Sequence, residues 1–78
     1  MNIYIVLKSK PHNQHYLKRY YNFIESCRKL NLTKTKEELG YTEDHHICPR
    51  SMFPEIQYDT KNIVLLTGRQ HFIAHWML

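Results

Sequence analysis

Apolar side chains recur at Leu17, Tyr20, Tyr21, Ile24, Cys27 and Leu30, a spacing of three and four residues that gathers them on one face of an α-helix. Lys18, Arg19, Asn22, Glu25, Arg28 and Lys29 occupy the remaining positions and form a solvated face. With Asn13 as an N-cap, the pattern predicts an amphipathic helix over about residues 14–30. Ahead of it, residues 2–7 (NIYIVL) are rich in β-branched and aromatic side chains, which predicts a short strand that Pro11 brings to a stop. Tyr4, Tyr16, Tyr20 and Tyr21 are assigned to core packing.

Past this helix the pattern changes. Residues 33–40 (TKTKEELG) are polar, with Thr35 and Glu38 at capping-box spacing and Gly40 where a helix would end, so they predict a connector or a single helical turn. Residues 43–48 (EDHHIC) run into Pro49 and predict a short extended strand. A loop of about a dozen residues containing Pro54 follows. Residues 63–66 (IVLL) predict a second strand, and Thr67 with Gln70 forms a capping box that opens a last helix. In that helix Phe72, Ile73, Trp76 and Met77 are assigned to the core. The expected fold class is α+β: an N-terminal helical region with its connector over residues 1–42, then a strand, long loop, strand and helix over residues 43–78, in one compact domain.

A chain of 78 residues buries too little apolar surface to be more than marginally stable alone, so a metal, a disulfide or a partner is expected to contribute. The cysteine count argues against a disulfide framework. Cys27 and Cys48 stand alone, outside any CxxC pair, and are expected as free thiols in a reducing cytoplasm, Cys48 as a small buried side chain. Residues 1–7 lack a basic leader and a cleavage site and are too short to span a bilayer, so a soluble cytoplasmic protein with no membrane partner is expected. A formal charge of +4 admits a polyanionic partner without requiring one.

Four of the six histidines lie in the second half. His71 and His75 are four residues apart on the last helix, so both imidazoles share one face and can share one ion. His45 and His46 are adjacent on a strand and point to opposite faces, so one is expected to bind the ion and the other to do something else. Three imidazoles on a divalent ion leave coordination positions open for a phosphate oxygen and water, and a fourth histidine near neutral pKa can accept a proton from that water.

EDHHICPRS followed by KNIVLLTGRQHFIAH resembles the HNH, or ββα-metal, motif of phage and intron-encoded homing endonucleases, and its histidine pattern is similar to that of the colicin DNases. HYLKRYYNFIESCRK resembles the helix that precedes the motif in phage HNH proteins. The resemblance implies His46 as general base, His45, His71 and His75 as ligands of one divalent metal, and Asn62 as the central Asn, bonding backbone across the long loop to keep the base in line. It also implies hydrolysis of DNA, double-stranded in expectation, to 5′-phosphate and 3′-hydroxyl ends. Many family members carry Asp where this chain has His45, and the histidine shifts the expected metal set toward nitrogen-preferring ions; Zn, Ni, Co, Mn and Mg all stay open, Mg being usually bound through oxygen.

Arg69, near the positive N-terminal end of the last helix, is the foremost candidate for a DNA phosphate contact, with Arg50, Lys61 and His12 behind it. Two rival readings remain: a metal-stabilised DNA- or protein-binding module without turnover, and an inert truncated relic of a homing endonuclease. His75 lies three residues from Leu78, in a terminal turn expected to fray.

Overall fold

A computed structural model of the chain describes residues 2–10 and 14–77. Pro11, His12 and Asn13, read above as a strand stop, a lesser DNA contact and a helix cap, lie outside the described residues. The elements are helices α1 (Ile3–Leu7), α2 (Gln14–Leu32) and α3 (Lys36–Leu39), strand β1 (Thr42–His46), two 3-10 turns (Pro54–Ile56 and Thr60–Asn62), strand β2 (Ile63–Thr67) and helix α4 (Gly68–Met77). The α+β class expected from the sequence is the one found.

The N-terminal segment is a helix, not the expected strand. The Asn2 side chain accepts the Ile5 N–H at 3.2 Å and caps it. Ile3 and Leu7, one helical turn apart, are both buried. A strand here would need a partner, and the described sheet has two strands, β1 and β2, paired with each other. Strand propensity reflects fit to a half-buried pleated surface, and with no sheet edge to join, a short helix satisfies the same backbone internally.

Helix α2 buries Leu17, Tyr20, Ile24 and Cys27, the row expected from the spacing. A fully buried aliphatic such as Ile24 contributes about 1.5–3 kcal/mol. Tyr4 and Tyr21 are half-buried and meet edge-to-face with ring centroids 4.7 Å apart. Tyr16, assigned to the core, and Leu30, the last apolar position of the row, are exposed. Thr35 and Glu38 form the expected capping box on α3, and Gly40, at φ +68°, takes the left-handed region that ends it at little cost.

Strands β1 and β2 pair antiparallel, His45 opposite Val64 and His46 opposite Ile63. Val64 and Leu66 are buried against the helices while Leu65 is exposed, so the sheet has one packed face. His45, across from Val64, lies on that face. Residues Ile47, Cys48 and Phe53 close the core beyond β1. Both cysteines are buried free thiols, and burial pushes the Cys48 thiol up to about 11.

Helix α4 starts from the expected capping box: Thr67 N–H donates to Gln70 Oε1 at 3.0 Å and Gln70 N–H to Thr67 Oγ1 at 3.2 Å. Gln70 also bonds Asn31, which ties α4 to α2. The helix has three faces. Gln70, Ile73, Ala74 and Met77 pack inward, and His71 and His75 form the next face. Phe72 and Trp76, expected in the core, are 73% and 81% exposed. At 100° per residue Phe72 points about 200° away from the buried Ala74, so it faces away from the elements α4 packs on. Among the described residues no helix is long and apolar enough to cross a membrane.

Candidate metal centre

Strand β1 and helix α4 bring three imidazoles together. His45, His71 and His75 each offer a ring nitrogen, and these atoms lie within 4.8 Å of one another. Ring centroids are 5.1 Å apart for His45 and His71, 5.3 Å for His45 and His75, and 4.6 Å for His71 and His75. His71 and His75 face each other through their Nε2 atoms at 3.0 Å. The sequence expectation rested on the i,i+4 spacing for two of these residues, and the register of β1 on β2 supplies the third.

Each of two histidines is held from behind. His71 Nδ1 donates to Glu43 Oε1 at 3.2 Å, which leaves Nε2 facing the cluster, and this hydrogen bond holds the Glu43 carboxyl below the usual range. Glu43 is two residues before His45 on β1, on the same face of the strand. His45 is 1% exposed, and its Nε2 lies 2.6 Å from the Tyr20 hydroxyl. The other nitrogen of that ring, Nδ1, is buried with no hydrogen-bond partner.

A buried nitrogen without a partner costs about 1–3 kcal/mol. It belongs to one of three rings whose donor atoms lie within 4.8 Å of one another, where a divalent ion with bonds of about 2 Å could be held after small ring movements. The donor set and the orphaned nitrogen therefore fit a metal. An all-nitrogen set of three suits Zn, Ni, Co or Mn better than Mg.

In the metal-free protein, burial first and then the neighbouring His71 and His75 hold His45 down to about 4 from 6.5. Because the unfolded chain then binds more protons than the folded one between those two values, stability should fall as pH drops from about 6.5 to about 4. A loss on the order of 3 kcal/mol is expected from the shift. Urea unfolding in EDTA across this range checks it, and a flat profile would contradict it.

His46 follows His45 on β1 and alternates to the other side of the strand, yet it lines the same groove as the three imidazoles. Its Nε2 donates to the Gln57 carbonyl at 2.9 Å, so the proton is on Nε2 and the Nδ1 lone pair is available. Asn62 is wholly buried. Its Oδ1 accepts the Cys48 N–H at 2.7 Å, and its Nδ2 donates to the Cys48 carbonyl at 3.2 Å and the Ile56 carbonyl at 3.3 Å. It thus spans the base of the loop, and Ile56 immediately precedes the residue that holds His46.

A groove of about 420 Å³ is lined by Asp44, His45, His46, Arg50, His71 and His75, with Pro49 and Ser51 at its edge. Arg50 is therefore at the site. Arg69 lines a different hollow, with Asn31 and Gln70 between α2 and α4, and Lys61 lines another with Asn2 and Arg28. The sequence reading assigns Tyr20 to core packing and gives Glu43 and the Gln57 carbonyl no role at the site. Strand alternation could have pointed to Glu43. Nothing in the sequence pairs Tyr20 with His45, and a backbone carbonyl leaves no trace in residue identity.

No family model and no solved structure matches the chain. Among curated proteins it is similar to three from Enterobacteria phage T4. "Probable mobile endonuclease D" is 46% identical over 63 residues, which cover 81% of this chain and 23% of that protein. "Probable mobile endonuclease E" is 44% identical over 50 residues, 63% of this chain and 34% of that protein. "Probable mobile endonuclease B" is 45% identical over 64 residues, 81% of this chain and 23% of that protein. The chain spans between about a quarter and a third of the length of these relatives, and the similarity links it to phage mobile endonucleases.

Proposed function

We propose that this chain carries an HNH-type nuclease site in which His45, His71 and His75 hold one divalent ion and His46 is the general base for hydrolysis of DNA phosphodiester bonds. The observation that carries the reading is the division of labour across β1. Three imidazoles converge on one side, and a fourth, separately held by the Gln57 carbonyl, lines the same groove. The names of the T4 relatives support the same chemistry.

His45, His71 and His75 would hold the divalent ion, which would supply charge stabilisation to the phosphate and the departing 3′ oxygen. His46 takes a proton from the attacking water at Nδ1, while its Nε2–H stays on Gln57 and fixes the ring plane. Asn62 holds the loop that presents Gln57. Arg50 contacts the scissile region's phosphate from within the groove. Arg69 and Lys61, on other faces, reach only DNA that extends past the groove. The substrate is double-stranded DNA, and the products carry 5′-phosphate and 3′-hydroxyl ends.

Supercoiled plasmid incubated with the purified chain in EDTA, Mg, Mn, Ni or Zn tests this. Nicked or linear product is expected with metal and none in EDTA, with ends that a DNA ligase reseals directly. A folded chain that binds metal yet leaves the plasmid intact in every ion would replace the nuclease by a metal-stabilised binding module.

A further inference from the structure

Tyr20 is the largest fully buried side chain of α2, and a phenylalanine would fill the same space. A buried hydroxyl costs free energy unless both its hydrogen-bonding capacities are used. Here they are: the hydroxyl donates to the Ile47 carbonyl at 2.8 Å and lies 2.6 Å from His45 Nε2. The hydroxyl has one proton, and a carbonyl can only accept. With that proton on Ile47, the second contact is satisfied only if His45 Nε2–H donates to the tyrosine oxygen. The lone pair of His45 is then on Nδ1, the buried nitrogen that has no other partner.

Building on the metal centre proposed above, we infer that Tyr20 is a positioning residue for it: by accepting the Nε2 proton it locks His45 in the Nε2–H tautomer and presents Nδ1 as the ligand atom. The centre would then be held through Nδ1 of His45 and Nε2 of His71, each ring set by a hydrogen bond on its far nitrogen, from Tyr20 and Glu43 respectively. The opposite tautomer would place a buried N–H where it has no acceptor and ask the tyrosine's single proton to serve two acceptors. Tyr20 also binds the residue that follows β1, so helix α2 fixes both the ring and the strand end that carries it.

Imidazole nitrogen NMR on the ¹⁵N-labelled full chain at neutral pH tests this, together with competition titrations of Zn alone against wild type and Tyr20→Phe. The metal-free wild type should show His45 protonated at Nε2, and that Nε2–H signal should persist in the zinc-loaded protein. Tyr20→Phe should mix the tautomers and weaken zinc binding by about 10–100-fold. Wild type found as the Nδ1–H tautomer, loss of the His45 Nε2–H on zinc loading, or a folded Tyr20→Phe that binds zinc as tightly as wild type would each overturn the assignment to Tyr20. Should Tyr20→Phe not fold, the two wild-type readouts decide alone. Failure of wild type to bind zinc would instead remove the metal centre itself.

Discussion

His46→Ala should lower the rate of metal-dependent plasmid nicking by about 10²–10⁴-fold, the usual contribution of a positioned general base. The substitution removes one half-buried ring and its hydrogen bond to Gln57, and it leaves the three-imidazole cluster on the opposite side of β1 untouched. Zinc affinity and thermal stability should therefore stay close to wild type. That combination separates the base from a ligand. His71→Ala should lose metal and cutting together, because it takes away one of three donors. A His46→Ala chain that nicks at the wild-type rate would remove the base from the mechanism, and one that loses zinc would move His46 into the ligand set.

Asn62→Ala should destabilise the chain by roughly 3 kcal/mol, the cost of leaving buried backbone groups unpaired at about 1–3 kcal/mol each. The Cys48 N–H at 2.7 Å is the group with most to lose, since it is buried and Asn62 supplies its partner. The Cys48 and Ile56 carbonyls lose a donor as well. For a small domain whose total stability is about 5–15 kcal/mol at most, a loss of this size shifts the urea midpoint clearly. Asn62→Asp is informative beside it. It keeps the acceptor for Cys48 but sets a carboxylate oxygen against two carbonyls, so it should be at least as damaging. An Asn62→Ala chain as stable as wild type would mean the loop is held by other contacts. Nicking should fall with stability, because the loop carries the Gln57 carbonyl that orients His46.

Much of this arrangement is legible in the residues themselves. Local chemistry writes the elements whose signals are short-range: the apolar row of α2, the Thr35–Glu38 and Thr67–Gln70 capping boxes, and the strand that ends before Pro49. The pair His71 and His75 follows from helical spacing alone. What the sequence misreads depends on partners far away in the chain. Residues 2–7 have strand composition, but the sheet offers them no edge, so Asn2 caps a helix instead. Phe72 and Trp76 are apolar, and only the orientation of α4 against α2 decides that they face outward. Arg69 is the natural choice for a phosphate contact from its place at a helix start, yet Arg50 lines the groove at the imidazoles and Arg69 lines another hollow between α2 and α4. The far-side holders, Tyr20 and Gln57, act through contacts 25 and 11 residues distant in the chain, and no local pattern encodes either.

X-ray diffraction from zinc- or manganese-loaded crystals of the chain, measured at the absorption edge of the metal, tests most directly whether a metal centre is built on these imidazoles. A single anomalous peak bonded to His45, His71 and His75, on the side of β1 opposite the His46–Gln57 hydrogen bond, is the predicted result. A peak that includes His46 or excludes His45, or no ordered metal at the cluster, would contradict it.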